Sequence, residues 1–344
     1  MRVLLNTLYV TTEGAYLARR REAVCIRREG QVVAQFPIHV LEGIVCFGKI
    51  GFSPKVLELC ARSGVPFSIL SPGGRFVGRL HGPTTGNVLL RRQQYRLTDE
   101  PEPAARIVRA IIIGKVSNCR TVLLRAARER DDNAGGAAEL RRASQDIGDA
   151  LRCLSVAIPL DTARGHEGEA AAKYFSVFDH LITAQKDGFT FTKRTRRPPL
   201  DPINALLSFL YTLLMHDVAG AVEAVGLDPA VGFLHRDRPG RLGLALDLME
   251  ELRPVLADRL ALSLINRRQI SADGFRRTES GAVWMKDETR KEVIVAYQTR
   301  KQESITHPFL NEEISLGLVP HAQALLLARH LRGDLDGYPP FLWK

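Results

Sequence analysis

The spacing of apolar positions changes character partway along the chain. Up to about Gly82, short apolar runs alternate with turn residues. They predict strands at Val3–Leu5, Leu8–Val10, Ala15–Arg19, Ala23–Arg27, Val32–Pro37 and Gly43–Cys46. Thr12–Gly14 and Glu29–Gln31 read as hairpin turns. Ser53-Pro54 predicts a helix reaching about Ser63, with Ser as N-cap and Pro at the first helical position. Val65–Leu70 and Phe76–Leu80 are two further strands, flanking a turn at Ser71–Gly74. From about Asn87 a 3.6-residue period takes over. It predicts helices at Asn87–Leu97, Ala104–Arg130, Ala137–Ser155, Glu167–Ile182, Asp201–Val225, Leu244–Leu264 and Val319–Leu331, with Ser280–Trp284 as a short strand. Asp201-Pro202 supplies a second N-cap pair. The pattern implies an α+β chain: a β-rich domain over 1–82, a linker over 83–90 and a larger all-α domain over 91–344.

The net charge of +10 adds a polyanionic partner to this picture. Charge alone does not separate DNA, RNA and anionic lipid. Lipid is disfavoured, because no amphipathic segment carries a dense Lys/Arg face. No apolar run approaches the roughly 20 residues that span a bilayer, and the N-terminus lacks the apolar core of a signal peptide. The five cysteines are odd in number and none forms a C-x-x-C pair, so a zinc site or disulfide framework is not expected and a reducing cytoplasm fits. One basic stretch, Lys186–Pro199, interrupts the helical pattern. It reads either as a flexible solvated loop or as an arm that contacts phosphate through Lys193, Arg194, Arg196 and Arg197.

Candidate chemistry sits on three segments. In Leu244–Leu264, Asp247, Glu250, Glu251 and Pro254 share one stripe of a helix that is otherwise apolar nearly all round. Buried carboxylates need a counter-charge or a metal. Arg253 and Arg259 offer the counter-charge, and on this helix alone an ion pair is the favoured reading. His235 closes the apolar run Val231–His235, where it reads as a core residue or as a ligand facing a cleft. Glu167 opens its predicted helix between glycines, where it serves the helix dipole or a metal. Two carboxylates with one imidazole suit Mg²⁺ or Mn²⁺ better than zinc. No P-loop, nucleophile elbow or H-E-x-x-H motif competes.

Together these segments resemble the CRISPR-associated adaptation integrase family, the Cas protein that inserts new spacers. The resemblance rests on GHEGEAAAKYF around Glu167, DPINALLSFLY from Asp201, GLDPAVGFLH ending at His235 and LALDLMEELRP around Glu250. LLNTLYV near the N-terminus, GNVLLRRQQY from Gly86, THPF from Thr306 and the terminal PPFLWK resemble its type I-C branch. The resemblance implies an N-terminal β-sandwich that mediates a homodimer and a helical domain that carries Mg²⁺ or Mn²⁺ on Glu167, His235 and Glu250. Asp247 is implied as an accompanying catalytic acid, with the closer contact, Asp247 or Glu250, left open. The implied reaction joins the 3′-hydroxyl of a prespacer duplex to the CRISPR leader-repeat by transesterification, alongside DNA endonuclease activity. Implied partners are double-stranded DNA, a small ferredoxin-like adaptation subunit and an iron–sulfur exonuclease-like adaptation protein, with no membrane.

Further phosphate or supporting contacts are expected from Asn87, Arg91 and Arg92, from Lys115, Asn118 and Arg120, and from Arg267 and Arg268. Asn204 and Ser208 are expected to support the site from behind, whereas Tyr174 and Tyr211 read as core residues. Two other functions remain open: a structure-selective metal nuclease acting on branched DNA, and a non-catalytic scaffold whose acids only pair with arginines.

Overall fold

The computed structural model describes residues 6–71, 76–80, 88–130 and 136–343. The expected strand at Val3–Leu5, most of the turn at Ser71–Gly74, and Asn87 lie outside the described residues. The rest divides by packing into two compact units.

The first unit comprises Met1–Thr85 and Met285–Gln302. Among its described residues, β1 (Thr7–Val10), β5 (Gly43–Phe47), β7 (Phe67–Leu70) and β8 (Phe76–Leu80) form one sheet in that order. β4 (Gln31–Pro37), β3 (Ala23–Arg28), β2 (Tyr16–Arg20) and the short β6 (Gly51–Phe52) form a second. Alternate residues of both sheets, including Leu17, Val24, Ile44 and Phe67, meet in one apolar cluster. Helix α1 (Pro54–Arg62) adds Val56, Leu59 and Cys60 to it. As its sequence predicts, α1 is capped by Ser53, whose Oγ accepts the Val56 N–H at 3.3 Å. The sandwich-like arrangement agrees with the strand spacing. One element of this unit is not in that reading: α9 (Asp287–Gln302), whose Arg290 guanidinium stands 5.7 Å from the centre of the Phe47 ring. The periodicity places that segment in the helical domain, whereas its packing places it with the sheets.

The second unit, Gly86–Trp284 with Glu303–Lys344, is mostly helical. It holds α2 (Val88–Asp99), α3 (Pro101–Arg128), α4 (Ala137–Leu154), α5 (Leu160–Ser176), α6 (Pro202–Ala224), α7 (Gly243–Leu252), α8 (Arg259–Asn266) and α10 (Val319–Leu331). The long α3 packs against α4, α5 and α7 and forms the spine of the unit. Its approach to α7 is close at Gly114, where a Cβ would lie 2.9 Å from Glu251 Cγ and 3.1 Å from Pro340 Cβ. By length and composition α6 is apolar enough to cross a membrane, which the reading of apolar runs does not register. In the fold 72% of that apolar window is buried inside the protein, so its apolarity is spent on the core.

Two helix boundaries differ from the sequence reading in ways that matter. Helix α5 begins at Leu160, not Glu167, so Glu167 sits mid-helix and does not serve the helix N-terminus. The expected single helix Leu244–Leu264 contains a π-helical stretch at Arg253–Asp258. Pro254 donates no backbone N–H and crowds the preceding turn, so the helix is wound wider there.

Candidate metal and DNA site

The site is built from three helices and one irregular segment of the second unit. Helix α3 brings Lys115, α5 brings Glu167, and α7 with its π-helical extension brings Asp247, Glu250 and Arg253. His235 comes from the irregular segment between α6 and α7.

That segment is clamped on two sides. Asp247, fully buried, accepts the backbone N–H groups of Phe233 at 2.6 Å, Leu234 at 2.9 Å and His235 at 2.9 Å. Arg164 on α5 donates to the Leu234 carbonyl at 3.0 and 2.8 Å. Close approach of the segment to α7 depends on Gly232, where a Cβ would lie 2.6 Å from the Gly243 carbonyl carbon and 2.8 Å from Asp247 Oδ2. The His235 ring then turns Nδ1 to Asp247 Oδ1 at 2.7 Å. Nε2 then faces Glu250 Oε1 at 3.9 Å.

Glu250 is 3% exposed and sits between cations. Arg253 Nη1 meets Oε1 at 2.5 Å, and Lys115 Nζ meets Oε2 at 2.7 Å and also hydrogen-bonds Glu167 Oε1. Burial alone would raise the Glu250 carboxyl, but Arg253 and Lys115 outweigh it and hold the group down to about 2. Burial likewise opposes the charge on Lys115, yet Glu250 and Glu167 raise its affinity for the proton. Arg253 lies 4.8 Å from the centre of the Tyr211 ring, with Arg194 at 5.3 Å, and the Tyr211 hydroxyl donates to Asp258 at 2.7 Å. The core reading of Tyr211 therefore omits its polar end.

Carboxylate oxygens and an imidazole nitrogen are the donor types that suit a hard divalent cation. Glu167 and Glu250 both reach Lys115, and Glu250 faces His235 Nε2, so two carboxylates and an imidazole stand around one cation. As the side chains stand, no three His, Cys, Asp or Glu among the described residues are close enough to hold an ion, because Lys115 stands between the carboxylates. Asp247 is different. Both of its oxygens are committed to the His235 segment, so it orients the histidine.

Several expected surface contacts are spent inside the unit. Lys115 is buried between the acids. Arg120 donates to the Ser144 carbonyl at 3.1 Å. Asn118 holds the C-terminal tail, donating to the Glu251 and Phe341 carbonyls at 2.7 and 2.9 Å and accepting from Trp343 N at 2.8 Å. The segment expected to be a flexible arm is anchored. Phe189 and Phe191 are buried, and Arg194 donates to Asn204 Oδ1 at 2.7 Å and Ser208 Oγ at 3.1 Å. Asn204 and Ser208 thus support the arm, and through it Tyr211 and Arg253. Arg92, Lys193, Arg196, Arg197, Arg267 and Arg268 are exposed, and Arg91 is half-buried. Sequence reasoning misses the structural work of Arg164, Asp258 and Glu251. Glu251 accepts from Gln323 at 2.9 Å, Tyr338 at 2.8 Å and Phe341 N at 2.7 Å, tying the tail to the back of α7. The sequence carries a weak signal for it, since Glu251 shares the acidic stripe with Glu250.

Comparison with known proteins identifies the family to which this α+β chain belongs. The family model described as CRISPR associated protein Cas1 matches residues 8–299. A CRISPR-associated endonuclease Cas1 from Rhodospirillum rubrum is 54% identical over 347 residues, covering all of both chains. Another from Chlorobaculum tepidum is 51% identical over 344 residues, again covering all of both. The solved structure of a CAS1 protein from Thermotoga maritima superposes with a TM-score of 0.81 at 25% identity, covering 98% of this chain and 100% of that one. The chain belongs to the CRISPR-associated protein Cas1 family.

Proposed function

We propose that this chain is a divalent-metal-dependent DNA integrase of CRISPR spacer acquisition, joining prespacer 3′-hydroxyl ends to the CRISPR repeat by transesterification, with endonuclease activity at the same centre. The observation that carries this reading is the paired setting of His235 and Glu250: Nδ1 is committed to Asp247, and Nε2 faces the carboxylate. Family membership supports it, as do two relatives matched over their whole length and named as endonucleases.

Glu167, His235 and Glu250 would hold Mg²⁺ or Mn²⁺. The ion would supply Lewis-acid activation of the attacking hydroxyl and stabilise charge at phosphorus. The protein's own groups do the rest. Asp247 and Arg164 keep His235 in one orientation, and Arg253 keeps Glu250 aimed. The exposed cations Arg92, Lys193, Arg196, Arg197, Arg267 and Arg268, with half-buried Arg91, would track the DNA phosphates. One phosphodiester replaces another, so no nucleotide triphosphate is needed.

The same reading carries a cytoplasmic homodimer formed through the β-rich unit. Edge strand β4, with Val32 and Val33 exposed at 48% and 59%, supports this contact. It also carries the ferredoxin-like and iron–sulfur exonuclease-like partners.

The test is a joining assay with a fluorescent duplex and a supercoiled repeat-bearing plasmid in Mn²⁺ or Mg²⁺, with and without the small partner. Joined product in the wild type, absent in Glu167→Ala, His235→Ala and Glu250→Ala with DNA binding retained, supports integration. Cutting of branched DNA without joining would favour the structure-selective nuclease. Full joining by the Glu250→Ala protein would remove Glu250 from the ligand set.

A further inference from the structure

Among the described residues, Lys115 is the cation that touches both Glu167 and Glu250, and it does so from a third helix, α3. Its side chain is 11% exposed, so the ammonium has little water to replace those contacts. Each carboxylate of the pair already has a cation. Two carboxylates face Lys115 and Arg253, while Asp247 is satisfied by three backbone N–H groups and His235. A divalent ion shared by Glu167 and Glu250 would need the same carboxylate oxygens that Lys115 holds. Adding it with Lys115 in place would crowd three cations, one of them divalent, around the two carboxylates of the pair, which a low-dielectric site does not tolerate.

We propose that Lys115 is a competing internal cation: the divalent metal and the Lys115 ammonium are alternative occupants of the Glu167–Glu250 pair, so that metal loading requires Lys115 to withdraw. This inference rests on the metal reading above. It has a consequence for DNA. Exchanging Lys115 for a divalent ion, with Arg253 retained, raises the charge of the centre by one, which a phosphodiester offsets. The withdrawn ammonium, on its flexible four-carbon stem, is a second partner for that phosphate. Metal and DNA therefore bind cooperatively, and the coupling runs through Lys115. Arg253 does not share this role. It meets only Glu250 of the pair, and its guanidinium is held against Tyr211.

The test measures Mn²⁺ affinity by the decrease of the free-ion EPR signal, for the wild type and Lys115→Met, with and without a duplex whose 3′ ends are dideoxy so that no joining occurs. The expected result is Mn²⁺ binding about tenfold tighter in Lys115→Met without DNA. The duplex should tighten Mn²⁺ binding to the wild type by a similar factor, about tenfold, and to the variant by much less. A second measurement on the unaltered protein guards against misfolding of the variant: amine acetylation read by mass spectrometry should find Lys115 protected without Mn²⁺ and reactive at saturating Mn²⁺. If the wild type binds Mn²⁺ but Lys115→Met binds it no more tightly, or Lys115 stays equally protected, the competition is overturned while the metal reading stands. If neither protein binds Mn²⁺, both readings fail together.

Discussion

Asp247 grips His235 twice, receiving its backbone N–H at 2.9 Å and its ring Nδ1 at 2.7 Å on the same carboxylate oxygen. One acid thereby sets both the path of the chain and the orientation of the ring. Asp247→Asn replaces one acceptor with an amide donor that faces other N–H groups. Unsatisfied buried groups cost about 1–3 kcal/mol each, so the variant should lose roughly 2–4 kcal/mol of stability in urea unfolding. Its Mn²⁺ affinity should fall by about 10–100-fold, the usual effect of removing the partner that orients a ligating histidine. Unchanged affinity would mean that the imidazole keeps its orientation without Asp247.

Asp258 supplies the pH dependence that is simplest to isolate. Burial raises its carboxyl from 3.8 to about 6, against the lowering effect of Tyr211, Tyr174 and Arg253. The folded state therefore holds this proton more tightly than the unfolded chain. The stability this gives is present below pH 3.8 and is lost as pH rises through about 6. Asp258→Asn cannot titrate. The stability of Asp258→Asn relative to wild type should rise between about pH 4 and 6 and then level, as measured by chemical denaturation across that range. A pH-independent difference would contradict the raised value.

Arg194 and Arg197 are close in sequence and opposite in setting. Arg194 is hydrogen-bonded to Asn204 and Ser208, and Arg197 is exposed. Arg194→Ala should destabilise the helical unit by about 1–3 kcal/mol, because buried acceptors lose their donor. Arg196→Ala with Arg197→Ala should leave melting nearly unchanged. It should weaken duplex binding and make log affinity fall less steeply with log salt, by about one unit of slope for each phosphate these arginines neutralise. The reverse assignment of effects would show that the anchored arginine, not the exposed ones, meets DNA.

The chain end is part of the helical unit. Trp343 lies between Arg125 and Arg259, whose guanidinium carbons stand 3.9 and 4.2 Å from its ring centre. Phe341 is 1% exposed, and its N–H reaches Glu251, the neighbour of Glu250. Phe341→Ala should cost about 3–5 kcal/mol, the range for a buried aromatic truncated to Ala, and should lower the melting temperature of the protein. A variant that melts like the wild type would make the tail an ornament of the fold.

What the chain's own pattern determined is local. Strand alternation, the Ser53 and Asp201 caps and the apolar stripes of α3, α4 and α6 are legible, because each depends on neighbours within a turn or two. Resemblance of four motifs also brings forward Glu167, His235 and Glu250, which the fold gathers into one place. Tertiary structure decided what those residues touch. The Lys115 contact to Glu167 spans 52 positions in the chain, and no periodicity encodes which cation will fall between two acids on different helices. Glycine contacts decided it in part: Gly114 lets α3 and α7 close, and Gly232 lets the His235 segment settle onto Asp247. The readings of metal and ion pair for Glu250 stand as alternatives in the sequence. In the fold the same buried carboxylate is held by Arg253 on one oxygen and Lys115 on the other, because desolvated charge must be compensated.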